Sequence, residues 1–195
     1  MKHRFPGALP ILTALLMVLT LPSCKKSSSS GPSSGSGYYM KFKLNGVQVE
    51  YDSQPIAALS YSSQDSIYTC VIAAYKDVNA GLENAIAITV LSNSAIVAGA
   101  KYDDPAKARE VNGEVAPQNT TFYYDSTANA WLTMGNLVDA NGNVSLPGIV
   151  ANAQLTITEL TSSYMKGTFS GTVYKSSTLS QYYSITEGEF YLKRS

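Results

Sequence analysis

The stretch "YYMKFKLNGVQVEYD", residues 38–52, leaves the chain little conformational choice. Met40, Phe42 and Leu44 alternate with Lys41 and Lys43, and Val47, Val49 and Tyr51 alternate with Gln48 and Glu50. A period of two gathers the apolar set on one face of an extended strand, whereas a helix would scatter it around its axis. Between the runs stands Asn45-Gly46, a pair suited to the left-handed conformations of a two-residue hairpin turn. Turn and pattern predict one register: Leu44 opposite Val47, Phe42 opposite Val49 and Met40 opposite Tyr51, with Lys41 meeting Glu50 on the other face.

The same grammar runs along the rest of the chain. Further strands are expected around 55–62, 67–75 and 84–91. The last two, "IYTCVIAAY" and "NAIAITVL", are apolar on both parities and read as central strands. Between 92 and 150 the pattern shortens to pieces such as "TTFYYD" and "AWLTMG", and "DDPAKARE" offers a helical turn at most. In "AQLTITELTSSYMKGTFSGTVYKS", Met165, Phe169 and Val173 share a face with Gly167 and Gly171, glycines that leave room for neighbours or mark bends. In "YYSITEGEFYLKR", Tyr183 and Ile185 lie on one parity and Phe190 and Leu192 on the other; a bulge near Gly188 puts all four on the core face. No amphipathic helix follows the N-terminal region. The expected fold is all-β, an antiparallel β-sandwich or flattened barrel of about 8–11 strands, formed by residues 38–195 as a single domain.

The N-terminus reads differently. Lys2, His3 and Arg4 precede an apolar stretch from Ala8 to Leu21, short of the about 20 residues that span a bilayer, as in a secretion signal. Leu21-Pro22-Ser23-Cys24 resembles the lipobox of bacterial lipoproteins. That resemblance implies a signal peptide over residues 1–23 and lipidation of Cys24 as the first residue of the mature chain; the alternative is an ordinary signal peptide with an incidental cysteine. Residues 25–37 hold seven serines, three glycines and one proline, with nothing to build a core. Residues 24–37 are thus expected to be a lipidated cysteine and flexible tether, spanning roughly 20 Å by random-coil scaling. Multiple acyl chains hold a membrane far more firmly than one.

Loss of the signal removes Lys2 and Arg4, so twelve basic residues face fourteen acidic ones and no nucleic-acid footprint remains. It also removes His3, the chain's one histidine, and with it Ser-His-Asp and Cys-His nucleophile systems and the usual His-bearing zinc sites. Cys70 has no partner if Cys24 is lipidated, and is expected to be a small buried apolar residue.

"LTITELTSSYMKGTFSGTVY" followed by "YSITEGEFYLKR" resembles the C-terminal signature of a family of small Bacteroidetes lipoproteins of unknown function, in which a Gly-Thr-Phe-Ser-Gly strand precedes an Ile-Thr-x-Gly-x-Phe strand. "KFKLNGVQVEY", "AGAKYDD" and "TFYYD" are similar to that family's N-terminal hairpin and Gly-x-Tyr step, so the resemblance covers most of residues 38–193. It implies an all-β envelope lipoprotein and carries over no catalytic residues. Lys25 is not the Asp that retains lipoproteins in the inner membrane of well-studied systems, so the outer membrane is the expected location, with its periplasmic or extracellular face open.

Candidates for chemistry are few. Asp103-Asp104 with Glu110 and Glu114 offers paired carboxylates for glycoside hydrolysis, against a solvated loop. "DANGN", residues 139–143, resembles part of a calcium loop but lacks the downstream Glu, and reads as a polar turn. "DSI" at Asp65 and "DST" at Asp125 resemble a three-residue O-glycosylation acceptor. The mature chain holds fourteen tyrosines and Trp131. Adjacent pairs should place one ring on each side of a strand, making Tyr123, Tyr124, Trp131, Tyr182 and Tyr183 the candidate ligand contacts. No catalytic residue, cofactor or metal is expected. The chain reads as a membrane-anchored, non-catalytic module binding a glycan or an envelope protein; the alternatives are a structural or accessory subunit, recognised through an apolar patch or free sheet edge, and a glycosidase using carboxylates alone.

Overall fold

The structure, a computed structural model, describes residues 37–81, 83–102, 109–111, 114–116, 118–133 and 152–195. They belong to one compact unit, Gly35–Ser195. Cys24 and its tether, Asp103, Asp104 and the 139–143 turn lie outside the described residues.

The opening hairpin forms in the predicted register. β1 (Tyr39–Leu44) and β2 (Val47–Tyr51) pair Leu44 with Val47, Phe42 with Val49, Met40 with Tyr51 and Lys41 with Glu50. Asn45 and Gly46 take φ values of 48° and 83°, the left-handed pair that a type I′ turn demands. The chain continues through β3 (Ser53–Ser62), β4 (Ile67–Tyr75), β5 (Ala85–Ser92), β6 (Arg109–Val111), β7 (Glu114–Ala116), β8 (Asn119–Tyr124), β9 (Ala130–Leu132), β10 (Gln154–Leu160), β11 (Tyr164–Lys175) and β12 (Tyr182–Arg194). Among the described residues the one helical element is a 3-10 turn at Val78–Ala80, capped by Asp77, whose carboxylate accepts from the Asn79 amide at 2.9 Å.

Ten strands make one sheet in the order β10-β11-β9-β8-β5-β4-β3-β12-β1-β2, and a further β11–β12 pairing closes it. The closing strands are also the longest, with 12 and 13 residues. β11 pairs with β10 through Met165–Ser170 and reaches β9 through Tyr174 and Lys175. β12 pairs with β1 through Ile185–Tyr191 and reaches β3 through Lys193 and Arg194. The seven strands β11-β9-β8-β5-β4-β3-β12 therefore form a ring, flanked by β10 on one side and β1–β2 on the other. This is a flattened barrel, or a sandwich closed at its corners. The β12–β3 contact is parallel, a departure from the antiparallel expectation: β1 ends at Tyr39 opposite Tyr191, leaving the last residues of β12 free to pair elsewhere. β6 and β7 form a separate two-stranded ribbon.

The two layers meet over an aromatic core. The Phe42 ring lies 5.5 Å from Tyr51, 5.7 Å from Phe169 and 6.4 Å from Tyr123 across the barrel. The sulfurs of Cys70 on β4 and Met165 on β11 approach to 4.0 Å. As its sequence position suggests, Cys70 is free and fully buried. Burial pushes its thiol pKa up to about 12.

β12 carries the expected bulge. Ile185 faces Gly171 and Gly188 faces Phe169, so two residues, Thr186 and Glu187, oppose Ser170 alone. Ile185, Phe190 and Leu192 are all buried, and Tyr183 packs against the same core. Two cross-strand pairs lie on one side of the bulge, Phe169 with Gly188 and Gly167 with Phe190. In each, a ring and a backbone carbonyl occupy the space that a side chain on the glycine would need: a Cβ on Gly188 would strike the Phe169 carbonyl and come within 2.8 Å of the Phe169 ring, and one on Gly167 would come within 2.9 Å of Phe190 Cε1 while also striking the Thr156 carbonyl. The small residues are thus the complement of the large ones.

Gly188→Ala is expected to destabilise the protein by about 2 kcal/mol, in the range of core overpacking. Urea denaturation measures it, and an unchanged midpoint would show that the Phe169 backbone and ring both yield freely.

Candidate functional site

Each strand of the layer β10-β11-β12-β1 sends one parity inward. Leu155, Ile157, Met165, Phe169, Phe190, Leu192, Met40 and Phe42 are buried, so their neighbours form the outer face. Register aligns those neighbours in rungs: Thr156, Thr168, Glu189 and Lys41 in one, and Glu159, Lys166, Tyr191 and Tyr39 in the next.

Where the bulge interrupts this face there is a depression of about 340 Å³, lined by Gln154, Thr156, Thr168, Ser170, Glu187 and Glu189 with Phe169 and Gly188 at its base. Glu187 holds a left-handed φ of 50°, a conformation that disfavours any residue but glycine by roughly 1–2 kcal/mol. Its carboxylate is 2.7 Å from the Lys43 ammonium.

Glu189 accepts from Lys41 at 2.7 Å and from the Tyr39 hydroxyl at 2.9 Å. These donors hold its carboxyl below the ordinary carboxylate range, and the Lys41 pKa rises in turn through the same bond. Tyr39 is raised by burial and by that carboxylate. On the next rung Glu159 accepts from Lys166 at 3.0 Å and Tyr164 at 2.9 Å, and it too is held low.

Beside these pairs lies an aromatic cluster. The Tyr191 ring is 4.8 Å from Tyr38, 5.3 Å from Tyr164 and 6.5 Å from Tyr39. The Lys166 ammonium sits 5.1 Å from the Tyr191 ring centre and 5.3 Å from that of Tyr164. All four rings are half-buried on the outer face, so each offers apolar area while its hydroxyl can stay hydrated.

The tyrosines singled out from the sequence are mostly elsewhere. Tyr123, Tyr124 and Trp131 are 5%, 8% and 4% exposed, which corrects their assignment as contacts on a free surface. Every residue of β8 is buried, so neither parity of Tyr123-Tyr124 meets solvent. Tyr183 is half-buried, its ring 4.1 Å from Trp131, and Tyr182 alone of the five is widely exposed, at 63%. The missed cluster has a signal in the sequence: Tyr39-x-Lys41-x-Lys43 on β1 and Glu187-x-Glu189-x-Tyr191 on β12 carry complementary charges on their polar positions.

Other candidates resolve locally. Asp125 closes the β8–β9 turn: its carboxylate accepts from the Thr127 amide (2.9 Å) and hydroxyl (2.8 Å), the Asn129 amide (3.0 Å) and the Trp131 indole N–H (3.1 Å). Partial burial opposes ionisation, yet the bonds from Thr127, Asn129 and Trp131 prevail and hold the carboxyl well below its usual range. Asp65 accepts from the Ser62 hydroxyl at 3.0 Å. Glu110 and Glu114 fall on adjacent rungs of the β6–β7 ribbon. Among the described residues no three His, Cys, Asp or Glu side chains gather as a metal site would require. No helix of the described residues is long and apolar enough to cross a membrane.

Comparison with protein-family models, with curated proteins and with solved structures finds no match to this chain.

Because the folded-state pKa of Asp125 is depressed, its contribution to stability is full above the unfolded value of about 3.9 and is lost as pH falls through the lower folded value. Trp131, the single tryptophan, reports it: native fluorescence should hold at pH about 4 and change only below the ordinary carboxylate range. Asp125→Ala should cost about 1–2 kcal/mol, as loss of a cap does, and should abolish that low-pH transition. A transition unchanged in the variant would assign it to another group.

Proposed function

We propose that the protein is a non-catalytic glycan-binding module, held at the outer membrane by a lipid on Cys24. The observation that carries the binding reading is the polar depression beside the Tyr38, Tyr39, Tyr164 and Tyr191 cluster on one solvent-facing layer. Its lining of hydroxyl, amide and carboxylate groups suits ligands rich in hydroxyls, and neighbouring aromatic area suits the apolar faces of sugar rings. The anchor rests on the Leu21-Pro22-Ser23-Cys24 pattern and the serine-rich segment behind it. The same sequence features support membership of the Bacteroidetes-type lipoprotein family that "GTFSGTVY" and "ITEGEFYL" resemble.

A carboxylate-only glycosidase finds less support in this depression. Glu187 and Glu189 are each ion-paired, and Glu189 is held low, whereas a general acid needs a raised pKa. The accessory-subunit reading draws on the outer edge of β2, which among the described residues pairs with β1 alone and begins at Val47, 67% exposed.

Two measurements test the proposal. Cys24→Ser should move the protein from the membrane fraction to the soluble fraction and abolish incorporation of labelled palmitate. Purified full-length protein should bind a polysaccharide from a panel of plant, fungal and bacterial polymers, with Tyr191→Ala weakening it about tenfold, the scale of a contact worth more than 1 kcal/mol. A blank panel would overturn the glycan reading.

A further inference from the structure

The charge arrangement of the depression carries the proposed function one step further, to the class of glycan. Its charged lining residues among those described are Glu187 and Glu189, and no described lysine lines it. Three nearby lysines are engaged by carboxylates: Lys41 with Glu189, Lys43 with Glu187 and Lys166 with Glu159, at 2.7, 2.7 and 3.0 Å; Lys101, bridged to Thr156 at the edge of β10, is exposed and does not line the depression.

A sugar carrying carboxylate or sulfate would meet two carboxylates first and would have to displace them from their lysines. A neutral sugar meets no such opposition. Its hydroxyls can donate to Glu187 and Glu189 while the lysines remain paired, and can exchange hydrogen bonds with Gln154, Thr156, Thr168 and Ser170. Carboxylates already oriented by Lys41, Lys43 and the Tyr39 hydroxyl lose less freedom on binding than free side chains would.

We infer that this depression selects neutral polysaccharides and excludes anionic ones, with Glu187 and Glu189 as the residues that read the sugar hydroxyls. The inference rests on the glycan-binding reading of the same site.

The test is titration of the full-length protein with laminarin, xylan and mannan on one side and polygalacturonate and heparin on the other. At least one neutral polymer should bind with an affinity nearly independent of salt, because no ion pair forms with the ligand. Glu189→Gln, which frees Lys41, should weaken neutral binding about tenfold, as loss of one charge-assisted hydrogen bond does, and should introduce salt-sensitive binding of polygalacturonate. Glu187→Gly provides a control against misfolding: it relieves the left-handed backbone, so thermal stability should hold or rise while neutral binding falls. Equal or tighter binding of polygalacturonate or heparin by the unaltered protein would overturn the charge selection and leave glycan binding standing. Binding of neither class would overturn glycan binding itself. Unaltered neutral binding in both glutamate variants would remove their assigned role.

Discussion

The fit of two phenylalanine rings over two glycines, on neighbouring strands, is the contact on which the rest of the barrel depends. Phe190 lies over Gly167 and Phe169 over Gly188. A bulky residue at either glycine position would hold β11 and β12 apart, and these two strands close the ring and join it to its flanks: β11 pairs with β9 and with the flanking β10, and β12 with β3 and the flanking β1. The close approach concentrates aromatic area at the centre of the barrel, where Phe42 and Tyr123 join it from two different layers. An all-β chain without the cross-link of a disulfide needs such a concentration, because its strands are brought together from distant parts of the sequence and each closure costs chain entropy.

The bulge serves core and surface together. By inserting one residue, it turns Phe190 and Leu192 onto the face already occupied by Ile185. The same insertion leaves Glu187 in a left-handed conformation on the outside, at the wall of the depression between β10, β11 and β12. Lys43 and Lys41 then sit across from Glu187 and Glu189 because β1 pairs with β12 through a matching register shift. Core packing and the geometry of the outer face are consequences of one irregularity in one strand.

Much of this was legible in the residues. Asn45-Gly46 with its flanking alternation specified a hairpin and its register, and all the predicted pairs form. The change of apolar parity around Gly188 required a bulge, and it is there. The closure of the ring was not legible, because it depends on the last residues of β12 outrunning β1 and pairing in parallel with β3, a contact between positions far apart in sequence with no local pattern. The tyrosines misled for a related reason. Tyr123-Tyr124 has the adjacency of a strand with one wet face, yet β8 is buried on both. The outer cluster of Tyr38, Tyr39, Tyr164 and Tyr191 draws on three separate segments that only the fold brings together.

The central claim is that the outer face made by the bulge is where the ligand sits, and backbone amide NMR tests it most directly. Uniformly ¹⁵N-labelled protein would be titrated with short neutral oligosaccharides cut from the polymer that binds. The account predicts that the shifted amides map to Gln154, Thr156, Thr168, Ser170 and Glu187–Glu189, with those of Tyr39 and Tyr191 moving at the rim. Saturable shifts confined to another surface, such as the exposed Tyr61 or Tyr182, would contradict it.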